Sequence, residues 1–336
     1  MKDCLLSPRE FEEIQHAFCM TVLALVPATL MFCVFQFSVT SDAVALMRRI
    51  DRSAITGHDL TPLFNYYTSW VAHVLISLSV SLAAARNAFR DTTPPKIAVM
   101  KRFRLMSFLV ALAFVLLADA GRTKLALLTH QRLFAVLSAE TSLSPLFRQD
   151  IGPLWRPTWF SFFVVSGIAV ALWATTTIVL CVSKFLAEFQ RPDSDARPSD
   201  RIAVFTDALE ALRSHFLALS LVLVTSTLGT IAYLRIPLGL LGADERRNFK
   251  LVSDAIGLIW GVTFSLTLLF LCIYPFIVLR KRFNALERDS HGSKGESLRR
   301  WLRKNQDLLH VPANLQIVLS VLSPAAVAVF ANLMSN

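Results

Sequence analysis

Two ionisable side chains of this sequence, His73 and Asp119, lie in stretches that are otherwise apolar enough to cross a membrane. Because a charge is costly in hydrocarbon, an ionisable residue at membrane depth usually has a function, such as lining an ion path. Ion-coupled transporters and intramembrane enzymes gather several such groups, often beside helices broken by glycine or proline. The scarcity of buried carboxylates therefore argues against both classes.

His73 belongs to a row of polar residues spaced four apart, with Ser69 before it and Ser77 after it. On a helix of 3.6 residues per turn these three side chains share one face. Thr225 and Thr227 bring hydroxyls to a later apolar segment. Such side chains can line a hydrated path, or they can hydrogen-bond across the interface between two helices. The spacing is compatible with both interpretations.

Asp119 is followed three residues later by Arg122, so the two side chains can meet on one helix face. The pair fits an ion-attracting gate, and it also fits an interfacial pair that ends a short span. The candidates for a pore or a polar interior are therefore His73, Ser69, Ser77, Asp119, Thr225 and Thr227.

Gly257, Gly261 and Ser265 form a row of small residues that lets two helix backbones approach closely. The row predicts helix packing and raises the chance that the protein is a homo-oligomer. Whether the packing partner lies in the same chain or in a second copy is left open by the sequence.

A basic amphipathic segment precedes the last apolar stretch. Its leucines and Trp301 share one face, and its opposite face carries Arg299, Arg300, Arg303 and Lys304. We expect this face to bind the anionic headgroups of the lipid bilayer, as basic amphipathic helices do. The sharper alternative is a docking surface for an acidic cytoplasmic partner or an anionic ligand.

Signatures of cofactor, metal or enzyme chemistry are missing from the sequence. The five cysteines form no pair or cluster at metal-ligand spacing, and four of them lie in apolar stretches. Phosphate-binding loops, nucleophile turns and zinc-protease motifs are also missing. We expect no metal site and no cofactor, and an enzyme is the less favoured class.

The composition indicates a membrane protein. Hydrophobic residues make up 54% of the 336 residues and charged residues only 17%, below the quarter or so typical of soluble domains. A spanning helix needs about 20 apolar residues. Uncharged windows of that length are 14–41, 60–85, 157–183, 214–234, 255–279 and 308–336, and a shorter one, 105–118, reaches span length if it continues to Gly121.

The basic residues predict the orientation, because they are retained on the cytoplasmic side. With the N-terminus inside, segments 1–16, 86–104, 184–214 and 280–312 hold 22 of the 34 basic residues. We therefore predict an all-α, multi-pass protein of the plasma (inner) membrane, with six spans arranged as three hairpins. The predicted units are 1–85, 86–190, 191–290 and 291–336.

Three boundaries follow from local signals. Ser7 and Pro8 predict a helix start. Several helices are predicted to extend beyond the membrane on the cytoplasmic side, because helix-compatible sequence continues through 182–190, 201–215 and 280–288. Residues 191–199 read as a linker. The seventh segment, 314–334, contains Pro324. It is predicted to span or to form a re-entrant helix pair broken at that proline, and packing against the cytoplasmic helical extensions is a further alternative.

The pattern favours a channel-like or membrane-permeabilising module that is controlled by a cytoplasmic partner or ligand, a plan that would suit a bacterial effector protein. A non-conducting scaffold or sensor that recruits an acidic partner is the first alternative. An uncoupled small-solute transporter is the second.

Overall fold

The computed structural model describes residues 8–38, 59–89, 159–190, 198–289 and 315–333, together with the single positions 101, 105 and 109. These ranges are all-helical and contain no β-strand. The helices are α1 (Pro8–Ser38), α2 (Thr61–Phe89), α3 (Trp159–Gln190), α4 (Pro198–Arg235), α5 (Ala243–Asp289) and α6 (Leu315–Leu333), with a 3₁₀ turn at Ile236–Gly239 between α4 and α5.

Four of these helices contain stretches long and apolar enough to cross a membrane, which identifies a membrane-embedded protein. The stretches are Thr61–Arg86, Ser166–Ala187, Thr206–Gly239 and Ala243–Lys281. The predicted third segment, 105–121, and the basic segment 298–309 lie outside the described ranges, apart from the exposed helical positions Leu105 and Leu109. Asp119, Arg299, Arg300, Arg303 and Lys304 lie there too.

The helix ends follow local sequence signals with one exception. Helix α1 begins at Pro8, and α3 and α5 continue to Gln190 and Asp289, as the sequence predicts. The predicted linker 191–199 is too long, because α4 already begins at Pro198. Proline suits the first turn of a helix, where its missing N–H would have no intrahelical acceptor.

Contacts between side chains fix the direction of each helix. His73 and Ala84 of α2 meet Gly167 and Cys181 of α3 in the same order, so these two helices run in parallel. Tyr66 meets Tyr233 and His73 meets Thr225, so α4 runs against α2. We call the end of the bundle that holds Tyr66 and Tyr233 the tyrosine end.

The directions of α5, α6 and α1 follow from contacts at the two ends of the bundle. Arg235, the last residue of α4, binds both Asp254 near the start of α5 and Ala331 near the end of α6. Helix α5 therefore leaves the tyrosine end and α6 arrives there. Met20 and His16 of α1 contact Ser183 and Tyr274, late in α3 and α5, so α1 begins at the opposite end, which we call the N-terminal end.

Helix α4 lies at the centre of the packing. It contacts α2, α3, α5 and α6, whereas α1 packs in the angle between α3 and α5. The core along these helices is apolar and includes Ile178, Phe216, Leu219 and Leu268, each at most 1% exposed. Large apolar side chains also cover the outside, including Phe64, Leu82 and Phe330, which is the surface expected of a bundle that is covered by lipid.

The C-terminal helix excludes one of the three alternatives for the last segment. Leu315–Leu333 is one continuous helix with Pro324 inside it. The re-entrant pair broken at Pro324 was therefore a wrong prediction. Proline inside a membrane helix is tolerated where neighbouring helices supply partners for the freed backbone groups, and α6 has such partners.

Candidate functional site

The imidazole of His73 joins three helices in the interior of the bundle. Its Nδ1 lies 2.9 Å from the hydroxyl of Thr225 on α4, and its Nε2 lies 3.1 Å from the carbonyl oxygen of Gly167 on α3. The side chain is only 6% exposed. Both ring nitrogens are therefore engaged in contacts between helices.

The partners of His73 fix its proton positions. The Gly167 carbonyl can only accept, so Nε2 carries a hydrogen and donates it. In the neutral ring Nδ1 then accepts from the Thr225 hydroxyl. That hydroxyl also lies 3.0 Å from the carbonyl oxygens of Leu221 and Val222 on its own helix. The single hydrogen of Thr225 can serve either Nδ1 or a carbonyl of its own helix, so the neutral ring keeps its Nδ1 partner only when that hydrogen points at His73.

Gly167 takes part in the junction through its backbone carbonyl. A Cβ at this position would lie 3.4 Å from the indole ring of Trp70 and 3.8 Å from the ring of His73, which are ordinary contact distances. Helix α3 therefore packs directly against α2 at this level. The sequence analysis did not identify Gly167, since a lone glycine in an apolar segment gives no signal of its partner.

The other hydroxyl candidates are distributed around the bundle. Ser77 and Thr227 are fully buried, and Ser69 is half-buried. Thr227 donates to the carbonyl of Leu223 one turn earlier, whereas the Ser77 hydroxyl has no hydrogen-bond partner among the described residues. Only His73 and Thr225 of the six candidates are brought into direct contact by the hydrogen bonds seen here.

The row of small residues on α5 faces partners within the same chain. A Cβ at Gly257 would lie 3.0 Å from Ile231 of α4, and one at Gly261 would lie 2.6 Å from the Cβ of Ala328 on α6. The hydroxyl of Ser265 accepts the backbone N–H of Ala325 at 3.1 Å. The row therefore seats two different helices of the bundle, α4 and α6.

A polar cluster at the tyrosine end was missed from the sequence. Nη2 of Arg235 lies 2.9 Å from the carboxylate of Asp254, 3.0 Å from the carbonyl of Ala331 and 3.2 Å from the side-chain oxygen of Asn332. Asn332 in turn donates to the backbone carbonyl of Asp254 at 2.9 Å. The cluster ties the ends of α4 and α6 to α5. Its one signal in the sequence is that Arg235 and Asp254 directly flank two uncharged windows, 214–234 and 255–279.

A second missed contact joins α1 to α5 near the N-terminal end. Nδ1 of His16 lies 2.6 Å from the hydroxyl of Tyr274, and the two rings are tilted with centroids 5.6 Å apart. His16 is 5% exposed, and Glu13 on the same helix is equally buried. His16 lies inside the first uncharged window, 14–41. A histidine in an apolar stretch was the one sign in the sequence that this position could bind a polar partner.

The loop before α2 rests on the 3₁₀ turn at the tyrosine end. The N–H of Asp59 donates to the carbonyl of Gly239 at 3.1 Å, and the Asp59 carboxylate accepts the N–H of Thr61 at 2.9 Å. Hydrogen bonds from the hydroxyl and N–H of Thr61, with the nearby charge of Arg246, hold the pKa of Asp59 below its ordinary value.

The cysteines that the structure describes are free thiols that pack against their surroundings. Cys181 and Cys272 are buried, and the thiol of Cys181 donates to the carbonyl of Ala84 at 2.8 Å. Within the described ranges no group of three His, Cys, Asp or Glu side chains is arranged to hold a metal ion.

Comparisons of the chain with protein-family models, with curated proteins and with solved structures find no match.

Proposed function

We propose that the protein is a multi-pass membrane scaffold or sensor that recruits an acidic partner or an anionic ligand at the N-terminal end of the bundle. The observation that carries the proposal is the junction at His73. Both of its ring nitrogens bind neighbouring helices, and its side chain is buried. Because both nitrogens bind other helices, the ring stabilises the packing of the bundle. It has no free polar atom that could replace the water around a passing ion.

The projecting helices support a role in recruitment. Helix α4 has 38 residues and is about 57 Å long at 1.5 Å per residue, well beyond the roughly 30 Å of a hydrocarbon core. The hydrophobic core continues past the uncharged windows through Leu186, Leu209 and Phe283, all at most 7% exposed. Motion of the projecting part would therefore be passed to the membrane part through packed side chains.

The proposed placement keeps the N-terminus in the cytoplasm and the bundle in the plasma (inner) membrane, with the tyrosine end outside. Six spans form three outward hairpins, and α6 crosses as a seventh. The helix directions support this arrangement: α1, α4 and α6 run towards the tyrosine end, and α2, α3 and α5 run away from it. The basic sequence segments 86–104 and 280–304 would then face the cytosol, where an acidic partner could reach them.

The first test measures conductance and binding on the same purified protein. In planar bilayers the scaffold proposal predicts no current at any holding potential. In nanodiscs of zwitterionic lipid it predicts that the protein binds poly-L-glutamate, with an affinity that falls as salt is raised. A steady single-channel current, or no binding at low salt, would contradict it.

A matched pair of charge reversals locates the binding surface. Lys281 is exposed at the N-terminal end of the bundle and Arg247 is exposed at the tyrosine end. Lys281→Glu should weaken the binding of poly-L-glutamate several-fold, because it reverses a charge at the proposed surface. Arg247→Glu should leave the affinity unchanged. Equal effects of the two substitutions would place the binding surface elsewhere.

A channel-like function is the second candidate, and the hydroxyl of Ser77 favours it. This group is fully buried and has no hydrogen-bond partner among the described residues, one turn from His73. Water that entered the interior would find a free polar group there. Conduction would then need the bond between His73 and Thr225 to open, so Thr225→Val should change the current and Thr230→Val should not.

A further inference from the structure

The chain that connects α2 to α3 passes from one end of the bundle to the other. Because these two helices run in parallel, α2 ends with Phe89 towards the N-terminal end and α3 begins with Trp159 towards the tyrosine end. In every other pair of consecutive helices, the first helix ends where the second begins. Residues 90–158 therefore have to cross the length of the bundle.

A chain that crosses lipid does so as a helix, because hydrocarbon offers no partner to a free backbone N–H or carbonyl. The longest uncharged stretch of 90–158 is 105–118, which reaches span length if it continues to Gly121. The described positions of this stretch of chain, Lys101, Leu105 and Leu109, are helical. Residues 105–121 are thus the candidate for the crossing, from the N-terminal end to the tyrosine end.

Helix α4 has one uncovered side, which forms the floor of an apolar groove. Leu217, Leu221 and Leu228 lie on this side and are each at least 40% exposed. At 3.6 residues per turn, the row lies between Ser220, which binds α6, and Thr225, which binds α2. The groove therefore runs along α4 with α2 on one side and α6 on the other.

The wall that α6 contributes to the groove is apolar. Ser323 of α6 contacts Ser220 of α4, and Ala328 packs against α5. Leu319 and Phe330 lie beyond Ser323 on the side away from Ala328, and both are exposed. This wall offers bulky apolar side chains to whatever fills the groove.

The uncovered surface of α2 has two distinct parts. Only 22% of its apolar window is buried, against 44% in each of the other three spanning stretches. One part carries large side chains, and the other carries small ones. The large row is Val71, Leu78 and Leu82, and the small row is Ala72, Ser79 and Ala83, all of them exposed.

The small row is the one that borders the groove. Trp70 faces α3, since its indole ring lies against Gly167. His73, further round the helix, binds Thr225 of α4. Continuing in the same direction, away from α3, the small row follows before the large row is reached. Small residues on an uncovered face of a membrane helix allow a second helix to approach closely.

The sequence of the crossing segment carries a matching row of small residues. Ser107, Ala111 and Ala118 are spaced four and then seven residues apart, as is the small row of α2 when it is followed from its C-terminal member backwards. On a helix these three would lie opposite Leu105 and Leu109, which are exposed. A helix antiparallel to α2 would place the small residues at the same heights, in the pairs Ala83 with Ser107, Ser79 with Ala111 and Ala72 with Ala118.

We propose that the groove between α2 and α6 is the docking site of residues 105–121 of the same chain. The segment crosses as a helix antiparallel to α2, with its small row against the small row of α2 and the leucines of α4 beneath it. Helix α4 is then surrounded by α2, α3, α5, α6 and the docked helix. The proposal does not depend on the recruitment function.

A disulfide between Ser79→Cys and Ala111→Cys tests the pairing in the full chain, in nanodiscs with copper phenanthroline as the oxidant. The bond requires Cβ atoms about 4 Å apart, so it reports direct contact. Trypsin releases the product as peptide 53–86 joined to peptide 105–122, which mass spectrometry distinguishes from products of the five native cysteines. We expect this product at the mass of a single chain.

Leu78→Cys with Ala111→Cys is the matched control pair. Leu78 is the neighbour of Ser79 at almost the same height, but it belongs to the large row and points about 100° away round the helix. It should form no disulfide with position 111. Equal yields from the two pairs would overturn the proposal. A disulfide between two chains would also overturn it, because the occupant of the groove would then be a second copy.

The reactivity of a cysteine on the groove floor tests occupancy without any substitution in 105–121. Leu221 on the floor and Val71 in the large row of α2 are both 47% exposed. With N-ethylmaleimide in detergent, and after subtraction of the rate of the unsubstituted protein, Leu221→Cys should react several-fold more slowly than Val71→Cys. Equal rates would leave the groove to lipid or detergent and would overturn the docking.

Discussion

Arg235 and Asp254 form an ion pair of 2.9 Å between the last residue of α4 and the beginning of α5. Their side chains are 20% and 18% exposed, so water screens the pair only in part. The same guanidinium nitrogen binds the carbonyl of Ala331 near the end of α6. One side chain therefore fastens three helices at the tyrosine end of the bundle.

Removing this guanidinium should destabilise the protein. Arg235→Ala loses hydrogen bonds to a carboxylate, a carbonyl and an amide at once, and we expect the free energy of unfolding to fall by about 2 kcal/mol. Arg247→Ala, which removes an exposed arginine of α5, should change it by less than about 0.5 kcal/mol. Thermal unfolding in detergent compares the two variants.

A double-mutant cycle checks that the cluster acts as a unit. If Arg235 and Asn332 share their interaction energy, Asn332→Ala should cost less in the Arg235→Ala background than in the unsubstituted protein. Strictly additive effects would mean that the two residues stabilise the bundle independently, against the shared contact at 3.2 Å.

The sequence was sufficient to predict the helices and several of their ends. Apolar windows and the scarcity of charges indicate membrane helices, and Pro8 predicts the start of α1 because proline favours the first helical turn. These signals are local, since each depends on residues within one or two turns. The start of α4 was predicted late because Pro198 was read as part of the linker.

The partners of individual residues could not be predicted in the same way. His73 and Thr225 were both identified as polar candidates, but they are 152 residues apart and only the packing of α2 against α4 shows that they bind each other. The contact of His16 with Tyr274 spans 258 residues. Ser220 is an ordinary serine in sequence, and only the packing of α4 against α6 brings its hydroxyl to the carbonyl of Ser320.

Two glycine substitutions should have opposite effects on stability. An alanine Cβ at Gly261 would lie 2.6 Å from Ala328 and 2.8 Å from the carbonyl oxygen of Pro324, so Gly261→Ala should cost about 1–3 kcal/mol through overpacking. At Gly229 nothing lies within 4 Å of the added Cβ. Gly229→Ala should therefore stabilise helix α4 by about 0.5–1 kcal/mol.

Thermal unfolding of both glycine variants under one set of detergent conditions distinguishes them. A Gly261→Ala variant that is as stable as the unsubstituted protein would show that α6 does not approach α5 as closely as the structure indicates. Gel filtration before unfolding controls for aggregation, because a bundle whose C-terminal helix has been displaced would expose additional apolar surface.

Asp59 should make stability depend on acidic pH. Its pKa is lower in the folded protein than in the unfolded chain, where it is about 4, so folding favours the charged form. The contribution is present above the unfolded pKa and is lost as the pH falls through the folded pKa. Asp59→Asn should flatten the decline of the thermal midpoint between neutral pH and about pH 3, and Asp207→Asn on exposed helix surface should not. Identical pH profiles for the unsubstituted protein and Asp59→Asn would exclude this carboxylate as a source of the decline.

The junction at His73 makes a prediction that separates structure from conduction. Thr225→Val replaces the hydroxyl with a methyl group of similar size and leaves Nδ1 of a buried ring without its partner. We expect a loss of stability of about 0.6 kcal/mol, the average for hydrogen bonds between membrane helices, and at most about 1.7 kcal/mol. Thr230→Val is the matched control, since Thr230 donates to Ser226 on its own helix at 2.8 Å. If Thr225→Val lowers the thermal midpoint and the protein carries no current, the His73 junction is a link between helices. A current that appears or changes with this substitution, but not with Thr230→Val, would instead show that ions pass through the interior of the bundle.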